Sequence, residues 1–178
     1  SKLDNFEISI SHTTRKPRSN ETPNKDYYFI NEEEFNRLIK NQEFLEYAKV
    51  FNNLYGTTRT QVINFLNNGK NVLFDIDWQG FQQLKQSNLE VVGIFILPPS
   101  KKELVNRLKT RGRDTKNEMK KRMNLVQNEI SHFPEYDYVV INDQLKDCVN
   151  KIKNIIETER LKKSRLINLT NFVNKFRN

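Results

Sequence analysis

The sequence predicts an α/β protein: a mainly parallel sheet with flanking helices, and a small mixed lobe inserted early in the chain. Three observations lead there. Val72-Leu73-Phe74-Asp75-Ile76 and Val91-Val92-Gly93-Ile94-Phe95-Ile96-Leu97 are continuous apolar runs, as expected for strands buried on both faces. Each is followed by a segment with helical character, through Gln86 after the first and with Leu104, Val105 and Leu108 inward after the second. That strand–helix–strand rhythm implies parallel strands joined by right-handed crossovers. Finally, polar residues stand at the C-terminal ends of the predicted strands: Asp75 and Asp77 after one, Asn142 and Asp143 after Asp137-Tyr138-Val139-Val140-Ile141. Open α/β sheets bind ligands at that edge.

Taken in order, Phe6 to Ile10 alternates apolar and polar residues and reads as a strand. Ser11-His12-Thr13-Thr14-Arg15-Lys16-Pro17-Arg18 follows. Pro17 disfavours helix for Lys16, so the loop stays extended, and Arg15 and Arg18 can converge on one object. Guanidinium groups bind phosphate bidentately, with hydroxyls completing the shell. The stretch therefore reads as an anion clamp, with a solvated basic loop as the alternative. Asp26 to Ile30 is a second strand, and Asn31 caps a helix carrying Glu32, Glu33 and Glu34 in its first turn and Phe35, Leu38 and Ile39 on its inner stripe.

Glu43 to Phe51 is extended again, with Phe44, Glu46, Ala48 and Val50 on one face. Glu46 is thus an acid among apolar neighbours. It is either an exposed acid on an edge strand or a buried one that needs a partner. Asn53-Leu54-Tyr55-Gly56-Thr57 reads as a turn, and Thr58 as the cap of a helix to Asn68 with Val62, Ile63, Phe65 and Leu66 inward, closed by Gly69. Residues 26–57 make the small lobe. Asp77 and Asp75 suit water-mediated Mg2+ contact or the donors of a bound base, and Asp77 also reads as the cap of a helix through Gln86, a role compatible with ligand binding. Pro98-Pro99 stops a strand and Ser100 caps the next helix. Arg107, Arg111, Arg113 and Arg122 gather about Gly112, as in a basic lid between two helices. A long helix spans about Gln144 to Lys163, and the tail 164–178 is amphipathic, with Leu166, Leu169, Phe172, Val173 and Phe176 spaced helically.

A chain of 178 residues accommodates one sizeable domain, here 1–178. The net charge of +8 suits polyanionic ligands. Basic residues are scattered until the tail and form no nucleic-acid motif, so no nucleic-acid partner is expected. Cys148 is the single cysteine, which fits a reducing, cytoplasmic compartment. No apolar run reaches transmembrane length, so no membrane partner is expected. His12 and His132 lack metal-ligand spacing, and no protein metal site is expected.

Thr13-Thr14-Arg15, Arg18, Glu21, Tyr27 and Phe29 fall at the spacing of the guanylate kinase signature. Glu46, Tyr55-Gly56-Thr57, Asp75-Ile76-Asp77-Trp78-Gln79-Gly80, Leu97-Pro98-Pro99-Ser100, Arg111-Gly112-Arg113 and Val140-Ile141-Asn142-Asp143 follow in the family's order. The chain resembles a bacterial housekeeping guanylate kinase over nearly its whole length. Asn24 departs from the Gly or Ala of the pattern, but Asn tolerates the left-handed backbone a Gly would take.

The resemblance implies a P-loop kinase-like fold and the reaction ATP + GMP (or dGMP) → ADP + GDP, with Mg2+ bound with ATP and residues 107–122 as the lid. Ser11, Arg15, Arg18, Tyr27 and Tyr55 would hold the GMP phosphate. Glu46, Thr57 and Asp77, with Asp75 nearby, would read guanine, whose N1–H and 2-amino group are adjacent donors suited to one carboxylate. Arg15, Arg111 and Arg122 would serve the transferring phosphoryl group, and Asn142 lies where the family holds adenine. The family's Gly-rich phosphate loop, G-x-x-x-x-G-K-[ST], has no counterpart in these residues, and the expectation is an intact enzyme whose N-terminal part lies outside them. The alternative is a catalytically silent guanylate-kinase-like scaffold that binds a phosphorylated peptide.

Overall fold

A computed structural model describes residues 5–111, 123, 126–166 and 168–177, with Thr110 and Arg111 as backbone only. Two compact units divide the chain, Ser1–Val91 and Val92–Asn178. Helices combine with parallel and mixed strand pairing, the α/β class expected.

In the first unit, β1 (Phe6–Ile8) pairs in parallel with β6 (Asn71–Leu73). A four-stranded sheet has the order β3-β2-β5-β4, from β2 (His12–Thr13), β3 (Tyr28–Phe29), β4 (Phe44–Val50) and β5 (Asn53–Thr58). The start of the expected clamp loop is therefore a strand inside the sheet. The expected turn at Asn53–Thr57 is likewise a strand: Val50 pairs with Asn53, so Phe51 and Asn52 make the turn, with Phe51 in the left-handed region at φ 56°. Gly56 belongs there because a Cβ would lie 2.9 Å from Tyr47 Cβ and 3.0 Å from the Glu46 carbonyl oxygen.

Helix α1 (Glu32–Lys40) starts where the cap predicts, with Asn31 Oδ1 accepting from the Glu34 N–H at 2.8 Å. It buries Phe35 and Leu38 against Phe44. Helix α2 (Arg59–Asn67) buries Val62, while Ile63 and Leu66 are exposed and Thr58 makes no side-chain cap bond. The stripe expected there is narrower, since one flank faces solvent. Gly69 takes the left-handed conformation after it, at φ 69°. Helix α3 (Trp78–Lys85) begins at Asp77, whose side chain accepts from the Gly80 N–H.

Strand β4 is irregular. Phe44 pairs with Thr58, but Glu46 pairs with Thr57. Thr57 and Thr58 point to opposite faces of β5, so Phe44 and Glu46 do too, although simple alternation placed them together. The extra residue, Leu45, packs with Val62 and Leu84 in a second core cluster. A bulge re-aims side chains in this way. Gln83 of α3 secures β4, accepting from the Tyr47 N–H at 3.1 Å and donating to its carbonyl at 2.7 Å.

In the second unit, β7 (Ile94–Leu97) and β8 (Tyr138–Ile141) pair in parallel. Phe95 pairs with Val139 and Ile96 with Val140. Phe95 and Val140 are buried while Ile96, Val139 and Ile141 stay exposed, so each face of this pair is only partly buried where full burial of both was expected. Helix α4 (Lys101–Arg111) starts at Ser100, whose Oγ accepts from the Glu103 N–H. The long helix Leu145–Arg160 buries Cys148 and Glu159. The tail holds a short helix, Leu169–Asn174, with Phe172 and Phe176 exposed.

Candidate active site

One face of the four-stranded sheet is polar. Thr13 pairs with Tyr55 and with Phe29, Glu46 with Thr57, and Ala48 with Tyr55. Directly paired residues share a face, and alternation adds Ser11 and Tyr27 to it. The opposite face carries His12 stacked on Tyr28 at 4.7 Å and edge-on to Phe44 at 5.8 Å. Backbone alternation thus separates the aromatic packing face from the face bearing the predicted ligand residues.

At one end of that face, Ser11 Oγ lies 3.1 Å from Thr57 Oγ1, and Thr57 is hydrogen bonded to Glu46. Gln61 of α2 holds the backbone before Ser11, accepting from the Ile10 N–H and donating to its carbonyl. Glu46 is 3% exposed, and its Oε1 has no hydrogen-bond partner among the described residues. Burial pushes its carboxyl up to about 7, with the charge of Asp77 adding to the rise and the Thr57 hydrogen bond opposing it. A buried acceptor without a donor costs free energy, so a ligand's donor would be favoured at this atom. The alternative of an exposed edge acid is overturned by the burial.

Gly80 shapes the pocket floor. A Cβ there would lie 2.6 Å from Glu46 Oε2 and 3.3 Å from Ile76 Cβ, and only glycine lets α3 pass so close beneath the carboxylate. Gly80 stands within the Asp75–Gly80 motif, where sequence reasoning gave it no role, though its place after the Asp77 cap was a signal. Gly80→Ala is expected to displace Glu46, with a stability loss of about 1–3 kcal/mol from overpacking. Thermal melts check this, and an unchanged melt would show that the carboxylate has room to move.

At the other end lies the clamp. The Arg15 guanidinium meets Glu21 fork to fork, Nη1 to Oε2 at 3.0 Å and Nη2 to Oε1 at 2.7 Å. It sits over Tyr27 at 5.4 Å and Phe29 at 5.9 Å, and is hydrogen bonded to Tyr55. Arg18 stays 68% exposed. Arg15 and Arg18 do converge, but the object they share in this structure is Glu21. Burial raises the Tyr27 phenol, and the nearby charge of Asp75 adds to it. Asn24 takes φ 65°, the left-handed backbone anticipated for it.

Asp77 is spoken for on both oxygens: Oδ1 accepts from the Gly80 N–H at 3.0 Å and Oδ2 from Gln79 Nε2 at 2.9 Å. Asp75 is exposed beyond the end of β6. Ser11, Arg15, Arg18, Tyr27, Glu46, Tyr55, Thr57, Asp75 and Asp77 all belong to the first unit.

In the second unit, Asn142 follows β8, its N–H donating to the Leu97 carbonyl and its carbonyl accepting from Arg107 Nη2 at 3.0 Å. Arg107 also pairs with Glu103, so it ties α4 to the strand end. The Arg111 side chain, Gly112, Arg113 and Arg122 lie outside the described residues, and with them nearly all of the expected lid at 107–122. A cavity of about 290 Å³ lined by Leu97, Pro98, Leu104, Val126 and Ile130, among others, includes none of the predicted site residues. Among the described residues no group of three or more His, Cys, Asp or Glu could hold a metal ion. None of the described helices is long and apolar enough to cross a membrane.

The guanylate kinase family model matches residues 1–159. The chain belongs to the guanylate kinase family. It is 45% identical over 171 residues to the guanylate kinase of Paramagnetospirillum magneticum, covering 96% of this chain and 80% of the relative. It is 50% identical over 162 residues to that of Rickettsia prowazekii, covering 90% and 82% respectively. The crystal structure of guanylate kinase from Anaplasma phagocytophilum superposes with a TM-score of 0.80 at 36% identity, covering 97% of this chain and 85% of that one. These guanylate kinase relatives lend no support to the silent-scaffold alternative.

Proposed function

We propose that this guanylate kinase family member transfers the γ-phosphoryl group of ATP to GMP, giving ADP and GDP, and that its first unit forms the GMP site. The observation that carries this is the buried Glu46 oxygen without a partner among the described residues, on a carboxylate whose hydrogen bond to Thr57 leads on to Ser11. Guanine presents two adjacent N–H donors to one carboxylate, and adenine presents none at those positions. Glu46, helped by Thr57, reads the base. Asp77 supports the pocket through Gly80, and exposed Asp75 serves the base donors or the metal's water shell.

Phosphoryl transfer asks for two polyanions held in line, with the developing charge neutralised. Ser11, Arg15, Arg18, Tyr27 and Tyr55 hold the GMP phosphate. Arg15, Arg111 and Arg122 would serve the transferring phosphoryl group, with Asn142 near adenine. Mg2+ would be held by one or two carboxylates plus substrate phosphates, with Asp75 offering such a carboxylate, and it would neutralise phosphate charge. A coupled ADP-release assay on the full chain tests the proposal: turnover that depends on GMP and not on AMP supports it, and no GMP-dependent turnover overturns it.

Arg18→Ala should raise the GMP KM by at least about tenfold, since a charge-assisted phosphate contact contributes about 1.5–3 kcal/mol. The melting temperature should barely move, because the side chain is mostly solvent-exposed. A KM unchanged in steady-state kinetics would remove Arg18 from the phosphate site.

A further inference from the structure

Glu21 is the acidic member of the clamp. A carboxylate beside a phosphate site repels the ligand, and it reduces the clamp's two positive charges to a net of one. Yet Glu21 is held by both arginines of the clamp. It takes both Nη atoms of Arg15, accepts from the Arg18 backbone N–H at 2.8 Å, and lies 3.5 Å from Arg18 Nη1. Its own N–H donates to the Arg18 carbonyl, closing the loop. The Arg15 and Glu21 side chains are 15% and 11% exposed. Arg15 Nη1 also donates to the Lys16 carbonyl at 2.8 Å, and the guanidinium bonds Tyr55, so most of its N–H groups are already engaged.

We propose that Glu21 is a positioning residue of the clamp, fixing Arg15 in a single orientation and setting the backbone from which the exposed Arg18 reaches the GMP phosphate. The inference rests on the GMP reading above. Holding Arg15 rigid lowers the ordering cost of binding, which offsets the repulsion Glu21 introduces. Two rival roles make different predictions. If the carboxylate competes with phosphate for Arg15, removing its charge tightens GMP binding. If it only stabilises the loop, removing it changes melting and not affinity.

The test is calorimetric titration of the full chain with GMP, in wild type, Glu21→Gln, Arg15→Ala and the double variant, with a melt of each. Positioning predicts that Glu21→Gln weakens GMP binding by about tenfold. It also predicts that most of this loss disappears in the Arg15→Ala background, because residues acting as a unit are not additive. If Glu21→Gln does not fold, Glu21→Asp takes its place: it keeps the charge but cannot span Arg15 and the Arg18 N–H together, and it should also weaken binding. Unchanged or tighter GMP binding in the folded variant, or a loss of equal size with and without Arg15, overturns the inference. Failure of the wild type to bind GMP overturns the functional reading instead.

Discussion

Glu46→Gln should lower kcat/KM for GMP on the order of 10²-fold while AMP is used no worse, so that selectivity between the two collapses. The substitution keeps shape but removes the charge and one acceptor, and a lost charge-assisted pair accounts for a drop of that size. Sites built around a substrate donor reject analogues that lack it by roughly 10⁴–10⁵, and Thr57 retains part of that discrimination. Kinetics with both nucleotides decide it, and an unchanged ratio in a folded variant would place guanine recognition elsewhere.

The same substitution should stabilise the ligand-free protein. Burial raises the Glu46 carboxyl from 4.5 to about 7. Between those values the folded state binds more protons than the unfolded state, so stability falls as pH rises through that window and levels off above it. The full effect is on the order of 3 kcal/mol. Melts of wild type and Glu46→Gln from pH 5 to pH 8 should diverge, with the variant ahead at pH 8. GMP donors need the ionised carboxylate, so GMP affinity should improve as pH rises to about 7 and beyond in wild type. The GMP phosphate itself ionises near pH 6, and the variant isolates that part. Parallel profiles for the two proteins would contradict the assignment.

Phe35→Ala should cost about 3–5 kcal/mol, the range for a fully buried phenylalanine. Phe35 is 0% exposed and packs on Phe44 with ring centroids 4.5 Å apart. It joins α1 to the aromatic face of the sheet whose other face carries Ser11, Thr57 and Glu46. Chemical denaturation measures the loss, and hydrogen exchange should show β4 and β5 opening together. A loss below about 1.5 kcal/mol would mean that α1 contributes little to holding the sheet.

Much of this could be read from neighbouring residues. Asn31, Asp77 and Ser100 cap helices three residues downstream, and such contacts are local enough to leave a pattern in the chain. The spaced motifs identified the family, because each preserves a residue type at a set distance.

Other features had no local signature. The register shift in β4 depends on β5, and it separates Phe44 from Glu46 onto opposite faces. That Glu46 is buried rather than an edge acid depends on α3, through Gly80, which follows it by 34 positions. That Asn53 to Thr58 is a strand depends on the close approach of Tyr47 to Gly56. That Asp77 spends its oxygens on Gly80 and Gln79, and Arg15 its fork on Glu21, depends on which of several competent partners lies within reach. Residue type and spacing set which contacts a side chain can make. Packing of segments distant in the chain selects among them, since burial and hydrogen-bond geometry act on positions in space.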